Sequence, residues 1–339
     1  MTAREYPVFT VTPKAERSLR AGHPWVYGEE VTAVEGAYQN GDMVDVVSNK
    51  GRYLGTGWVN DHSKIRVRII SRNANDTFDE AFFRRRVCYA LNYRKTVMGS
   101  VDYRCCRLIF GEADQFPGLT VDRFENILVT QVLSLGMERR KDWVYRALVE
   151  LLREDGEQID AIYERNDVAI RTLEGLEQGK GFYQMEGLRT DLSGHVTITE
   201  NRIKYDVDYI EGQKTGFFLD QKYNRQAAAK LARGRRVLDC FTHTGAFALN
   251  AAAAGAEYVT AVDVSAFALE LAAENGKRNG LTNLDYKCAD VFDLLTEMAK
   301  EKKCDYDYII LDPPAFTKSR ATAKNAYHGY KEINMKAMR

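Results

Sequence analysis

The stretch from Arg236 to Val264 constrains this chain more than any other. It reads as a buried strand (Val237–Cys240), a turn ending in Gly245, an Ala-rich helix (Ala246–Ala254), a Gly turn at Gly255, and a second strand (Tyr258–Val264) with Asp263 at its end. That is a β-α-β unit, which builds a parallel sheet covered by helices. Its first turn is made of small residues, so a ligand can approach the backbone closely. The helix start offers free N–H groups, and an acid at the second strand tip can hold both hydroxyls of a ribose. The arrangement suits a nucleoside.

The turn narrows the choice of nucleoside. A dinucleotide fingerprint needs G-x-G-x-x-G, whereas Asp239-Cys240-Phe241-Thr242-His243-Thr244-Gly245 has one Gly and opens with an acid. A carboxylate there repels a pyrophosphate but accepts hydrogen bonds from a cationic amino-acid end. S-adenosylmethionine has such an end and no phosphate. On this segment alone an ordinary α/β turn remains open. The later strands add to the pattern. Asp290, with the backbone N–H of Val291 behind it, follows a predicted strand and can read an adenine edge. Tyr308–Leu311 is an apolar strand closed by Asp312-Pro313-Pro314, and two prolines remove two N–H groups and fix the exit path. Asp239, Asp263, Asp290 and Asp312 thus fall on the carboxyl edge of one sheet, where open α/β sheets bind ligands.

A chain of 339 residues has room for two or three domains. With 45% hydrophobic and 28% charged residues it is an ordinary globular composition, with no apolar run able to span a bilayer and no signal at Met1. The six Cys are scattered without a C-x-x-C, which argues against zinc and against a disulfide framework and fits a reducing cytosol. We therefore expect a cytoplasmic protein with no metal and no membrane partner. A net charge of zero argues against a bulk nucleic-acid binder, yet residues 1–110 hold 17 Lys+Arg against 12 Asp+Glu. That surplus points weakly to phosphate contact.

Residues 1–72 read as all-β. Ile65–Ile70 alternates apolar and basic residues and predicts a cationic face. Residues 73–190 read as a separate α+β domain with a helix over Asp79–Val97, strands at Arg104–Phe110, Leu119–Phe124 and Ile127–Val132, a helix over Glu138–Leu152, and strands at Asp160–Glu164 and Ala169–Leu173. Arg84-Arg85-Arg86 on the first of these helices reads most simply as a solvated face. Residues 191–339 open with a hairpin (His195–Arg202, Ile203–Ile210), then the loop Gly212–Gly216, Phe217-Phe218, and a helix to Leu231 for which Asp220 is a candidate N-cap.

Seven marks in order now resemble one family: HPWVY (His23–Tyr27), GEADQFPGLTVDRF (Gly111–Phe124), YERNDVAIR (Tyr163–Arg171), GQKTGFFLDQKYNR (Gly212–Arg225), DCFTHTGAF, LDPPAF and YKEINMKA (Tyr330–Ala337). The chain resembles the class I S-adenosylmethionine-dependent rRNA methyltransferases with an N-terminal PUA domain, most of all the large-subunit (23S) rRNA cytosine-C5 methyltransferases. The resemblance implies a multidomain α/β protein: a PUA β-barrel over 1–72, an α+β middle domain over 73–190 that helps place RNA, and a Rossmann-like methyltransferase domain over 191–339. It implies S-adenosylmethionine as cofactor and ribosomal RNA as partner; a homodimer is left open. Phe218, Gln221 and Arg225 lie in the segment that covers the cofactor in that family. With the strand-tip residues, the expected cofactor set is Phe218, Gln221, Arg225, Asp239, Phe241, Thr242, Gly245, Asp263, Ser265, Asp290, Val291, Asp312, Pro313 and Pro314. Arg17, Arg20, Arg66, Arg68, Arg84 and Lys214 are the RNA candidates. Trp25 reads as a core aromatic rather than a base stacker, and one of Phe217 and Phe218 as core.

Methylation at C5 starts with a Cys thiolate adding to C6, which makes C5 enamine-like. Asp312 would hold the cytosine edge. An exocyclic amine usually goes with [DN]-P-P-aromatic, but here Ala315 follows the prolines and the aromatic, Phe316, comes one residue later, which tilts the reading toward carbon. In the resembling family the nucleophilic Cys follows the helix that starts near Tyr330. Cys240 lies in the cofactor turn, Cys288 and Cys304 lie near strands, and none matches that position. Four sheet strands can be placed (Arg236–Cys240, Tyr258–Asp263, Asp285–Ala289, Asp307–Asp312). A fifth is available only if the segment before the core joins them, against seven in a complete sheet. We therefore expect the natural protein to extend beyond Arg339. The apolar strand Tyr308–Leu311 should be central and buried. Methylation of another RNA atom, such as guanine N2, and RNA binding without catalysis are the alternatives.

Overall fold

Alternating apolar residues in the first 72 positions pair into a six-stranded sheet. The computed structural model describes residues 5–302, 305–317 and 323–338. The strand order is Trp25–Tyr27, Ile65–Ser71, Tyr53–Val59, Met43–Ser48, Val8–Val11, Val31–Glu35. All pairs are antiparallel except Val8–Val11 with Met43–Ser48. Phe9, Val11, Leu19, Val26, Val44, Val46, Val59 and Val67 fill its core. Gly57 has no room for a side chain: a Cβ there would lie 2.0 Å from the Arg68 carbonyl oxygen.

A second sheet follows, in the order Lys180–Phe182, Ala161–Arg165, Ile127–Val132, Leu119–Phe124, Cys105–Phe110. Ala161–Arg165 runs parallel to Ile127–Val132, and the helix Lys141–Glu154 makes the crossover between them. The helix Glu80–Val97 begins where the sequence predicts, with Asp79 accepting from the Phe82 N–H at 2.9 Å. On the helix Lys141–Glu154, Val144, Tyr145, Ala147, Leu148 and Leu152 are buried.

The two sheets share one core. Met43, Trp58 and Ile70 from the first pack with Leu108 and Leu128 from the second and with Phe82 and Leu148 from its helices. Gly136 lies against Trp58 so closely that a Cβ would fall 2.0 Å from the indole. The chain divides instead into residues 1–196 with 208–217, and residues 197–207 with 218–339. Ala169–Leu173, expected as a strand, is the 3-10 turn Ala169–Glu174. Arg171 within it is buried and donates to the Val132 and Glu177 carbonyls and to Glu138, which fixes the segment across the sheet end instead of along it.

In the second unit four parallel strands run Leu284–Cys288, Tyr258–Asp263, Arg236–Cys240, Tyr308–Leu311. Ala246–Ala253 and Ala266–Arg278 are the helices after its first two strands. The hairpin His195–Glu200/Ile203–Asp208 supplies no fifth strand; it is a two-stranded sheet of its own. Its turn residues Asn201 and Arg202 both have positive φ, 53° and 67°, as a tight two-residue turn requires. Asn275 and Asn279 hold it to the helix Ala266–Arg278, accepting from the Asp206 and Lys204 N–H groups at 2.8 Å each. Tyr308–Leu311 is not central among the described residues. It is an edge strand in which only Ile310 is buried.

Candidate cofactor site

The three inner strand pairs are in register, Cys240 opposite Val262 and Leu311, and Asp263 opposite Cys288. Their carboxyl ends therefore finish on one edge, and the acids gather there. Asp239 is fully buried. Its Oδ2 accepts from Thr242 Oγ1 at 2.5 Å and from the Ala248 N–H, in the first helix turn, at 2.9 Å. Burial is the main reason its carboxyl rises to about 7; Asp312 and Asp263 push it further, while its two donors pull it back. Asp263 accepts from the His243 N–H at 2.9 Å and from the Ser265 N–H at 3.0 Å. The turn between them is compressed: Phe241 and His243 have positive φ of 62° and 51°, and Gly245 has φ 79°. A Cβ on Gly245 would meet Leu249 at 2.6 Å and Ala272 at 2.8 Å, so no larger residue fits.

The remaining sequence candidates divide by what holds them. Asp290 and Ser265 cap helices, accepting from Asp293 N–H at 3.1 Å and Ala268 N–H at 3.2 Å. Thr242 is buried against Asp239, and the Val291 side chain is in the core, leaving its backbone as the group that faces the edge. Asp312 stands above the usual carboxylate range through partial burial and the charge of Asp220, with Arg225 opposing. Pro313 and Pro314 follow it at the strand exit. Phe218 sets its ring edge-on to His243 at 5.5 Å. Gln221 accepts from Asn224 Nδ2 at 2.7 Å.

Several expectations are corrected. Arg225 does not open onto the strand edge: it is buried, pairs bidentately with buried Glu200 at 2.7 and 3.1 Å, and donates to the Phe218 carbonyl at 2.7 Å. Asp220 is no N-cap. It lies in the 3-10 turn Leu219–Gln221, and the helix Lys222–Ala232 starts without a side-chain cap. Arg68 is no surface cation. It is buried and held by Glu174 at 2.7 Å and Glu112 at 3.3 Å, because its strand faces the second sheet. Arg66 is tied to Asp61, so the cationic face predicted for Ile65–Ile70 does not form. Arg84 bridges Glu150 and Glu154 at 2.8 Å each. Arg17, Arg20 and Lys214 are exposed, Arg20 with Glu16 at 3.1 Å. Trp25 is half-buried and donates to Glu112 at 2.8 Å; the core indole is Trp58. Phe217 is buried.

The sequence reading missed His243 and Glu200. His243 supplies an N–H to Asp263, and burial holds its imidazole below the usual range. Glu200 shares the buried face of its strand with Ile198, and a carboxylate in that alternating register could have signalled a buried cationic partner. Among the described residues no three His, Cys, Asp or Glu side chains are arranged to hold a metal ion, and no helix is long and apolar enough to cross a membrane.

Comparison with known proteins agrees with this geometry. A PUA-like domain matches residues 9–72 and an S-adenosylmethionine-dependent methyltransferase domain matches residues 183–333. The ribosomal RNA large subunit methyltransferase I of Photobacterium profundum is 42% identical over 326 residues, covering 95% of this chain and 80% of the relative. The chain belongs to the ribosomal RNA large subunit methyltransferase I family. Its counterpart from Shewanella denitrificans is also 42% identical, over 330 residues, covering 96% and 80% of the two chains. Solved structures share the fold: a SAM-dependent methyltransferase from Streptococcus mutans (TM-score 0.76, 23% identity, 96% of this chain and 82% of that one). A methyltransferase complexed with SAH reaches a TM-score of 0.79 at 23% identity, covering 97% and 82%. As in the rest of this family, the Rossmann-like domain is an S-adenosylmethionine-dependent methyltransferase. The gathered acids fit that cofactor: a buried carboxyl beside which no cation stands among the described residues, next to a turn with no room for a side chain at Gly245, matches a ligand with a cationic end.

Proposed function

We propose that this protein methylates large-subunit ribosomal RNA at C5 of a cytosine. The observation that carries the reading is the in-register parallel edge on which Asp239, Asp263, Asp290 and Asp312 converge. S-adenosylmethionine supplies an electrophilic methyl group when bound. Asp263 holds the ribose: each of its oxygens already accepts one backbone N–H and keeps a lone pair for a hydroxyl. The free oxygen of Asp290 and the N–H of Val291 meet the adenine edge, and Asp239 meets the amino-acid end. Phe241 and Gly245 shape the turn, while Thr242 and Ser265 act as positioning residues. Phe218 and Gln221 cover the cofactor, with Arg225 positioning Phe218. Asp312, framed by Pro313 and Pro314, faces the base. Arg17, Arg20 and Lys214 are proposed RNA contacts.

Carbon is favoured over an exocyclic amine because Phe316 is already engaged. Its ring packs tilted against Tyr330 at 4.5 Å and against Phe292 at 5.8 Å. Cys240 is not the thiolate that C5 chemistry needs, since burial pushes its thiol up to about 12. Cys105 and Cys106 are buried in the first unit, and Cys288 Sγ donates to the Val264 carbonyl at 3.5 Å. Cys304 lies outside the described residues.

Ribosomal RNA from cells lacking the gene, incubated with the natural gene product and methyl-labelled cofactor, should yield labelled 5-methylcytidine by nucleoside mass spectrometry. Labelled N2-methylguanosine would replace the carbon reading by an amine one. Cofactor binding without any transfer would leave an RNA-binding protein. Asp263→Ala should weaken S-adenosylmethionine binding by about 1–3 kcal/mol, the scale for donors left unpaired; unchanged affinity in calorimetry would remove Asp263 from the site.

A further inference from the structure

The motif Tyr163–Arg171 has no place in the cofactor edge, yet Glu164, Asn166 and Arg171 from it line one cleft of the first unit. Glu138, Lys141 and the chain from Glu177 to Phe182 complete the lining. The volume is about 270 Å³, just below the roughly 300–1,000 Å³ of pockets for drug-sized ligands. One nucleobase-sized ring system fills such a space.

The cations on its wall are already matched. Lys141 reaches Glu138 at 2.8 Å and Glu164 at 2.9 Å, Arg171 reaches Glu138 at 3.0 Å, and Lys180 reaches Glu211 at 2.6 Å. The exposed Glu177 carboxylate has no partner among the described residues. An entering anion would meet no unpaired cation and one unpaired acid, so a phosphate or a carboxylate is disfavoured.

Two donors remain open. Asn166 is 5% exposed; its Oδ1 accepts the Val132 N–H at 2.8 Å, and its Nδ2 has no acceptor among the described residues. Arg171 is also 5% exposed. Its Nε and Nη1 donate to the Glu177 and Val132 carbonyls and to Glu138, while Nη2 has no acceptor among the described residues. Largely buried donors left unpaired are costly, so this pair calls for acceptors on a ligand. The opening is kept by two glycines. Gly181 stands opposite Glu164 in the antiparallel ladder, so a side chain at 181 would share the Glu164 face. A Cβ there or at Gly179 would meet nothing within 4 Å, and neither residue has a left-handed φ. Neither packing nor backbone conformation requires glycine at these positions.

We propose that the cleft holds an unpaired guanine of the RNA, with Asn166 and Arg171 donating to O6 and N7 and Glu177 accepting from N1–H and the N2 amine. The inference deepens the ribosomal RNA reading above and rests on it. The lining asks for a neutral flat group with two neighbouring acceptors and a donor edge. Adenine and uracil lack neighbouring acceptors, whereas guanine carries O6 beside N7. Cytosine has N3 beside O2 but offers a carboxylate only one amino group; guanine offers N1–H and the N2 amine side by side, which match the two oxygens of Glu177. Bases splayed out of single-stranded RNA are read on these edges. A free guanine nucleotide fits less well, because its phosphates would bring concentrated negative charge to a wall without an unpaired cation.

The test uses the full chain and a short fluorescein-labelled oligouridylate with one central guanine. By anisotropy it should bind at least tenfold more tightly than the same strand with adenine, cytosine or uracil at that position. Inosine, which lacks the N2 amine, should lose most of the preference. Glu177→Gln should lose it too, and the two changes together should cost little more than either alone, because they remove one contact. Gly181→Val should abolish the preference with the melting temperature unchanged. Equal binding of the four strands, or a preference that survives in both Glu177→Gln and Gly181→Val, overturns the guanine site. Displacement of the strand by guanosine triphosphate as effectively as by unlabelled guanine-containing RNA would assign the cleft to a free nucleotide and overturn the RNA proposal. Labelled 5-methylcytidine formed despite any of these results would leave the methylation reading standing while the guanine site falls.

Discussion

Arg225→Ala should destabilise the second unit by about 3–5 kcal/mol, the scale for stranding a buried charge. Arg225 and Glu200 are both buried, and the pair is bidentate at 2.7 and 3.1 Å, the geometry in which a guanidinium fits a carboxylate best. Removing the cation leaves Glu200 with neither a counterion nor water. The loss also frees the Phe218 carbonyl, which accepts from Arg225 at 2.7 Å. Phe218 lies against His243, and His243 is held by Asp263, so the hairpin carboxylate reaches the cofactor turn through three contacts. The variant should therefore bind S-adenosylmethionine less tightly. Urea unfolding is best followed by far-UV circular dichroism, because Trp25, Trp58 and Trp143 all belong to the first unit. Glu200→Leu/Arg225→Leu should lose less than either single variant, since an apolar pair leaves no stranded charge. A single-variant loss below about 1 kcal/mol would mean that the pair is solvated in solution.

The parts of the fold written in local pattern were legible in the sequence. The strand–turn–helix–strand from Arg236 is recognisable because a parallel buried strand is a continuous apolar run, and because only Gly tolerates the approach of Leu249 and Ala272 at position 245. Asp239, Asp263 and Asp312 were legible for the same reason: each ends an apolar run, whereas Asp290 follows the polar edge strand Leu284–Cys288. What could not be read were side chains whose partners are distant in sequence. Arg68 looks like a solvated cation on an alternating strand, yet Glu112 and Glu174 bury it. Arg225 looks like a ligand contact on a polar helix face, yet its partner sits on the preceding hairpin. The segment Ala169–Leu173 has strand-like composition, but the hydrogen bonds of Arg171 turn it across the sheet. Periodicity reports which face is buried, not which charges meet there.

The second large effect concerns pH and should come from Asp239. Its carboxyl, raised in the fold to about 7, has an ordinary value near 3.8 when exposed. The folded state therefore holds a proton that the unfolded chain releases between these values, so stability is greatest at the acid end of the window and falls as pH rises through it. A shift of this size is on the order of 3–4 kcal/mol between about pH 4 and pH 7. Asp239→Asn keeps an acceptor for Thr242 and the Ala248 N–H but carries no charge. It should flatten this slope and exceed wild-type stability above pH 7. Cofactor binding should run the other way. A cationic amino-acid end beside Asp239 favours the ionised carboxyl, so wild-type binding should release a proton near pH 6.5, measured by calorimetry in buffers of different ionisation enthalpy. S-adenosylhomocysteine keeps that amino end and should release it too, whereas 5′-methylthioadenosine, which lacks it, should not. Equal proton release by all three ligands would place the amino-acid end away from Asp239 and reassign the acid to holding the turn through Thr242 and the helix start.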